Sequence, residues 1–131
     1  MIQSILIPKI VYEALKNDAT LNEYINQRIF PMIADFGTQF PYVAYSRTYI
    51  TPTYTKDFYT EDTVGIEIIV ASNDYLESLA IANQIRSIFE CKTLKTSELT
   101  ISRITLSSVT EAYDDQANAF VQRITFDFKV N

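Results

Sequence analysis

The chain of 131 residues has no histidine and no tryptophan, a single cysteine and only two glycines. Each shortage removes a class of chemistry. Without histidine, the commonest general base and the commonest neutral metal ligand are missing. One cysteine, Cys91, excludes an internal disulfide. With no imidazole to activate it, a packed or tolerated thiol is a better reading than a nucleophile. Two glycines, Gly37 and Gly65, cannot build a glycine-rich phosphate cradle. Basic residues are scattered singly and outnumbered, 11 against 16 acidic, for a formal net charge of -5. Phosphate-backbone affinity rests on clustered Lys and Arg, so sequence-specific nucleic-acid binding is not expected. No run approaches the ~20 apolar residues of a membrane span. The start, MIQSILIPKIVYEALK, has neither a leading basic segment nor a small-residue cleavage site. The expectation is a soluble, intracellular chain with no membrane contact, no cofactor, no metal site and no catalytic residue, hence not an enzyme.

What is present is most legible from Asp62 to Phe89. Val64, Ile66, Ile68 and Val70 recur every second residue and share one face of a strand, with Gly65, Glu67 and Ile69 on the other. Asp74 with Glu77 three residues on predicts a helix N-cap with a capping box. In the helix that follows, Leu79, Ile81, Ala82, Ile85, Ile88 and Phe89 crowd one side. A strand and a helix with one apolar face each bury those faces on each other.

Pro8 suits the first turn of an opening helix that runs to about Asn17, with Ile7, Ile10, Val11, Ala14 and Leu15 inward. Thr20 with Glu23 predicts a second capping box and a short helix carrying Leu21, Tyr24 and Ile25. A short strand is expected over 28–32. A loop follows over 34–40, and a strand from Tyr42 that Pro52 interrupts. Leu99 and Ile101 alternate in one phase and Ile104 and Leu106 in the other, which predicts a bulge near Ser102. YDDQAN, 113–118, has hairpin-loop composition. In the last strand Phe120, Ile124, Phe126, Phe128 and Val130 point inward, and Arg123, Thr125, Asp127 and Lys129 outward.

These elements predict one α+β domain over 1–131: a mainly antiparallel sheet of four to five strands packed against two main helices, in the order α-α-β-β-β-α-β-β. If the central helix crosses between parallel neighbours, that is where the sheet departs from antiparallel. Residues 51–63, rich in Thr, Tyr and charge, read as an extended hairpin or arm. Tyr49, Tyr54, Phe58 and Tyr59 on or beside it are the candidate protein-interface residues, since aromatic residues on a polar segment suit protein contacts; cross-strand pairing is the plainer alternative. Glu111, Asp114 and Asp115 lack the ligand spacing and turn glycine of a calcium loop and read as a solvated hairpin tip, as do Asp57, Glu61 and Asp62.

The order of segments carries a resemblance. A first helix VYEALKNDATL precedes QRIFPMIADFGTQFPYVAYS, then a strand ending in IIVASNDYLESLAIANQIRSIF, then strands with VQRITFDFKV. The most specific pieces are RIFP from Arg28 to Pro31, FPYVAYS from Phe40 to Ser46, and the helix start from Ser72 to Ala82. From Ile7 to Val130 this succession resembles the small tail-completion proteins of long-tailed phages and prophages, the tail terminator and head-to-tail joining group. The resemblance implies a structural protein that self-associates as a ring, a hexamer in the family, and caps the tail tube at its head-proximal end. Its implied partners are further copies of itself, the major tail tube protein and the neck or head-completion proteins. Its implied place is the virion tail, after assembly in the host cytoplasm. The alternative is a small-ligand-binding or regulatory α+β domain with a pocket between the sheet and the central helix.

Overall fold

The computed structural model describes residues 4–54, 56, 60–95 and 99–130. A single 3-10 turn, Ser4–Leu6, leads into helix α1, Ile7–Asn17, with Pro8 in its first turn where the missing N–H costs nothing. Ile7, Ile10, Val11 and Leu15 are buried, following the predicted stripe. Helix α2, Ala19–Ile25, buries Leu21 and Ile25. The box expected from Thr20 and Glu23 does not form. Asp18 is the N-cap, Thr20 lies within the first turn, and the Asp18 carboxylate accepts from Gln84 Nε2 at 2.9 Å on a distant helix. Asn22 locks the corner: its Nδ2 donates to Leu15 O (3.0 Å) and Asp18 O (2.9 Å), and its Oδ1 accepts from Gln27 N (3.0 Å).

Six strands make one sheet: β1 Ile29–Pro31, β2 Tyr42–Tyr54, β3 Thr60–Ser72, β4 Leu94–Lys95, β5 Thr100–Asp114 and β6 Ala119–Val130. Their spatial order is β1-β2-β3-β6-β5-β4. The fold is α+β as expected, but two features differ from the sequence reading. Among the described residues the strand count is six, because two residues after the central helix pair with Ile101 and Thr100 as β4. The sheet is also mixed: β1 and β2 are parallel, and the other pairs are antiparallel. A parallel neighbour requires the chain to return to the same end of the sheet before starting again. That is the geometric task of the loop over 32–41. The central helix α3, Tyr75–Phe89, leaves β3 and leads to β4 and β5. Because β6 inserts between β3 and β5, the parallel strands that α3 joins are not neighbours.

Pro52 does not end β2. It pairs with Asp62 and the strand continues to Tyr54. Past Tyr45, β2 has a partner on one side only, and an edge strand tolerates a proline whose missing N–H faces the open side. The bulge expected near Ser102 is present as a register shift between Ile101 and Arg103; further shifts lie between Leu106 and Ser108 and between Arg47 and Tyr49. Each extra residue swaps which face the following side chains occupy, and so keeps Ile104 in the core after Ile101.

The core lies between the sheet and the helices. Val64, Ile66, Ile68 and Val70 of β3 and Phe126, Phe128 and Val130 of β6 are fully buried, together with Ile81, Ile85 and Phe89 of α3. The start of α3 is built differently from the predicted box. Asp74 Oδ1 accepts from Leu76 N (3.2 Å), but Glu77 accepts from Ser72 Oγ (2.7 Å), and the same hydroxyl accepts from Asp74 N (3.1 Å). Ser72 does for Asp74 N–H what Glu77 was expected to do.

Candidate assembly surfaces

On the sheet face away from the buried rows, cross-strand polar pairs run over β3 and β6: Arg123 to Glu67 at 3.3 Å, and Lys129 Nζ to Thr63 Oγ1 at 2.8 Å. Tyr49 belongs to this face. It pairs with Gly65 on β3, and a Cβ at residue 65 would lie 2.2 Å from the Tyr49 ring, so the ring occupies the space that the glycine leaves. The phenol donates to Asp127 on the strand beyond. That bond, then partial burial, then the Asp127 charge push the phenol from 10.0 up to about 12.

A group raised in the folded state stabilises fully below its unfolded value and loses that contribution as pH rises through its folded value. Here the window is roughly pH 10 to 12. Urea unfolding of wild type and Tyr49→Phe across pH 9 to 12 is expected to show a stability difference that shrinks through this window. A difference independent of pH would count against the assignment.

The other candidate interface residues divide. Tyr54 ends β2 opposite Thr60 and is exposed. Phe58 and Tyr59 lie outside the described residues. Tyr49 makes the cross-strand bond to Asp127 and is still 39 % exposed. Asp114 closes the β5–β6 turn, its Oδ1 accepting from Gln116 N (3.1 Å) and Ala117 N (3.3 Å). Glu111 accepts from Tyr75 Oη (3.0 Å) and from the buried Gln122 Nε2 (3.0 Å). Its bond to Tyr75 raises that phenol's pKa. Asp62 accepts from Ser4 Oγ at 2.5 Å, while Asp57 lies outside the described residues. No set of three or more metal-ligating side chains gathers among the described residues. Cys91 is exposed rather than packed, with a left-handed φ of 61° after α3. No described helix is long and apolar enough to cross a membrane.

The alternative of a ligand pocket between sheet and central helix meets a filled space, occupied by Ile81, Ile85, Phe89, Phe126 and Phe128. Open grooves flank α3 instead, among them one of about 240 Å³ where Leu79, Ala82 and Arg86 face Val109 and Ile124 and one of about 290 Å³ where Tyr75 faces Glu111, Tyr113 and Phe120.

Sequence reasoning missed the strongest apolar surface. Met32 is 75 % exposed, Ile33 80 %, and Phe36 stands fully in solvent, all on the loop after β1. Met32 has a φ of 65°, a left-handed conformation unusual for its residue type, as the chain turns out of the sheet. Asp35 lies on the same loop. Ile33, Asp35 and Phe36 line one depression with Asp114, Gln116 and Ala117 of the β5–β6 turn. Exposed apolar side chains grouped with a polar rim mark an interaction site. The only sequence signal was their incongruity: PMIADF is apolar without period where the expected strand over 28–32 gives way to the expected loop over 34–40.

Two sheet edges are also open among the described residues. β1 covers β2 only at Val43, Ala44 and Tyr45, and β4 covers β5 only at Thr100 and Ile101. Cys91 N also donates to Ile104 O (2.9 Å), so the stretches with no backbone partner on their outer side among the described residues are 46–54 of β2 and 105–114 of β5.

Residues 9–131 match the family model described as tail completion protein gp17. No curated protein matches the chain. Among solved structures, a chain from the virion of a native gene transfer agent particle superposes with a TM-score of 0.80 at 15 % identity, over 92 % of this chain and 90 % of that one. A second solved chain superposes at 0.70 with 11 % identity, over 98 % and 96 %. These two likenesses establish the fold. The family match covers nearly the whole chain, and so the protein belongs to the tail completion protein gp17 family, structural components of the phage tail that take their place in the virion tail.

Proposed function

We propose that the protein completes the tail by self-associating into a ring, a hexamer by its resemblance, that caps the tube and joins it to the neck or connector proteins. The observation that carries this reading is that β2 and β5, on opposite sides of one sheet, are each only partly covered on their outer sides among the described residues. A ring needs two different surfaces per subunit that meet in one repeated contact. Two further surfaces remain for partners along the axis. One is the end of the sheet bearing Met32, Ile33 and Phe36, with Asp35 and Asp114 lining the same depression; it suits an apolar partner surface rimmed by Lys or Arg. The other is the opposite end, where Tyr54 lies opposite Thr60 at the limit of the described β2–β3 pair, in the region read from the sequence as an arm of the single domain. In this reading the subunit acts by shape and contact, and its partners are the tube protein and the neck or head-completion proteins.

Solution mass across concentration, with electron microscopy of the protein alone and on purified tail tubes, tests the reading. The expected result is a closed ring of six, either free or seated at one tube end. A protein that stays monomeric in solution and leaves tube ends bare would overturn it.

A further inference from the structure

Resting on that ring reading, we infer that its subunit contact is a strand pairing in which the free edge of β5 takes the free edge of β2 from the next copy. An unprotected strand edge is a template for another strand, and folded proteins guard such edges with Lys, Pro or cover. From Thr105 to Ala112, β5 has neither residue and no backbone cover among the described residues, and on β2 the open stretch from Arg47 to Ile50 lies ahead of Pro52. Val109, in the middle of this stretch, is exposed.

The occupant follows from direction, face and charge. β2 is antiparallel to β3, β3 to β6 and β6 to β5, so a copy continuing the sheet presents its β2 antiparallel to β5. On β2, Arg47 and Ile50 lie opposite Ile66 and Val64 and so occupy the helix-bearing face. On β5, Glu111 and Val109 lie opposite Gln122 and Ile124, on the same face. Setting Arg47 of one copy against Glu111 of the next places Tyr49 against Thr110 and Ile50 against Val109, with the bulge at Thr48 absorbed as it is against β3. One alignment therefore yields an ion pair and an apolar pair. Pairing β5 with a second β5 would leave β2 open; the β2–β5 contact uses both edges.

The alignment also has the slant that closure needs. Within the sheet, Arg47 shares a row with Ile66, Phe126 and Leu106, so meeting Glu111 shifts the neighbour by about five residues. That is roughly 16 Å along the strands over roughly 19 Å across the four long ones. The resulting strand tilt of about 40° is in the range at which sheets close on themselves. The neighbour's β1 already pairs with its Val43, Ala44 and Tyr45, so the contact starts at Arg47 against Glu111, and the end of β5 from Tyr113 must leave the edge beside that β1.

Cysteine pairing and charge exchange test the contact. In a Cys91→Ser background, Ile50→Cys combined with Val109→Cys is expected to give a ladder of disulfide-linked multimers on oxidation, with neither single variant doing so. Arg47→Glu or Glu111→Arg alone is expected to lower the assembled fraction about tenfold or more, and the two together to restore it, because exchanging the charges recreates the pair. Circular dichroism confirms that each variant is folded. Rings that assemble without the disulfide, or with Val109→Cys alone forming dimers, would overturn this contact and leave the ring reading standing. Wild type that neither assembles nor cross-links in either form would overturn both.

Discussion

Replacing Phe89 by alanine is expected to remove about 3–5 kcal/mol of folding stability, the usual cost of emptying a buried phenylalanine site. Phe89 is the last residue of α3 and has no solvent exposure. Its ring centroid lies 5.5 Å from that of Phe126 and 6.0 Å from that of Phe128, so it joins helix to sheet through two neighbours on one strand. Those rings are held by the β3–β6 and β5–β6 ladders and cannot close the void without disturbing both. Domains of this kind have about 5–15 kcal/mol in total. The urea midpoint should therefore fall by roughly 1–3 M. Leu76→Ala on the exposed flank of the same helix serves as the comparison, with a change of about 0.5 kcal/mol or less. A Phe89→Ala loss no larger than that of Leu76→Ala would mean that α3 is not anchored where its ring contacts place it.

Gly65→Ala is expected to cost about 1–3 kcal/mol, although alanine is ordinarily the better strand residue. The cause lies across the strand pair: the new Cβ would meet the Tyr49 ring at 2.2 Å and Thr48 Oγ1 at 2.5 Å. The Thr48 hydroxyl can rotate aside, but the Tyr49 ring is held at its far end by Asp127. In a Tyr49→Ala background the same Gly65→Ala change should become neutral or stabilising. A double-mutant cycle by urea unfolding then reads a coupling well above the few tenths of a kcal/mol found between independent sites. Additive effects would show that the ring does not rest on Gly65. The outcome matters for assembly too. Tyr49 braces β2 to β3 and β6 next to Arg47 and Ile50, and a strand that is to pair with a neighbour must first be held in register.

The elements legible in the sequence are those whose cause is local. The alternation of Val64, Ile66, Ile68 and Val70, the stripe of α1 after Pro8 and the phase change at Ser102 depend on backbone periods of 2 and 3.6 residues, which sequence spacing expresses directly. The order of these segments was also enough to point to the tail-completion family. Caps were half legible. Asp74 and the start of α3 could be read, but Ser72 took the role expected of Glu77, and Asp18 rather than Thr20 opened α2. Several oxygens within a few residues compete there for the same N–H groups, and spacing does not rank them.

Pairing and exposure were decided only in three dimensions. Nothing in Ile29–Pro31 announces that it lies parallel to β2, nor in Leu94–Lys95 that it forms an edge strand, because a ladder partner is a property of a distant segment. Pro52 reads as a break until β2 proves to have an open side. Tyr49 is a surface aromatic, and only the tertiary structure shows that its ring lies over Gly65 and its hydroxyl bonds to Asp127. Met32, Ile33 and Phe36 are apolar residues in a loop, and apolar residues are ordinarily buried. The sequence alone determined which faces are greasy and which segments turn. The tertiary structure decided which of those faces and edges remain uncovered, since accessibility depends on what else packs nearby, and those remainders are what a tail-completion subunit has to offer its neighbours.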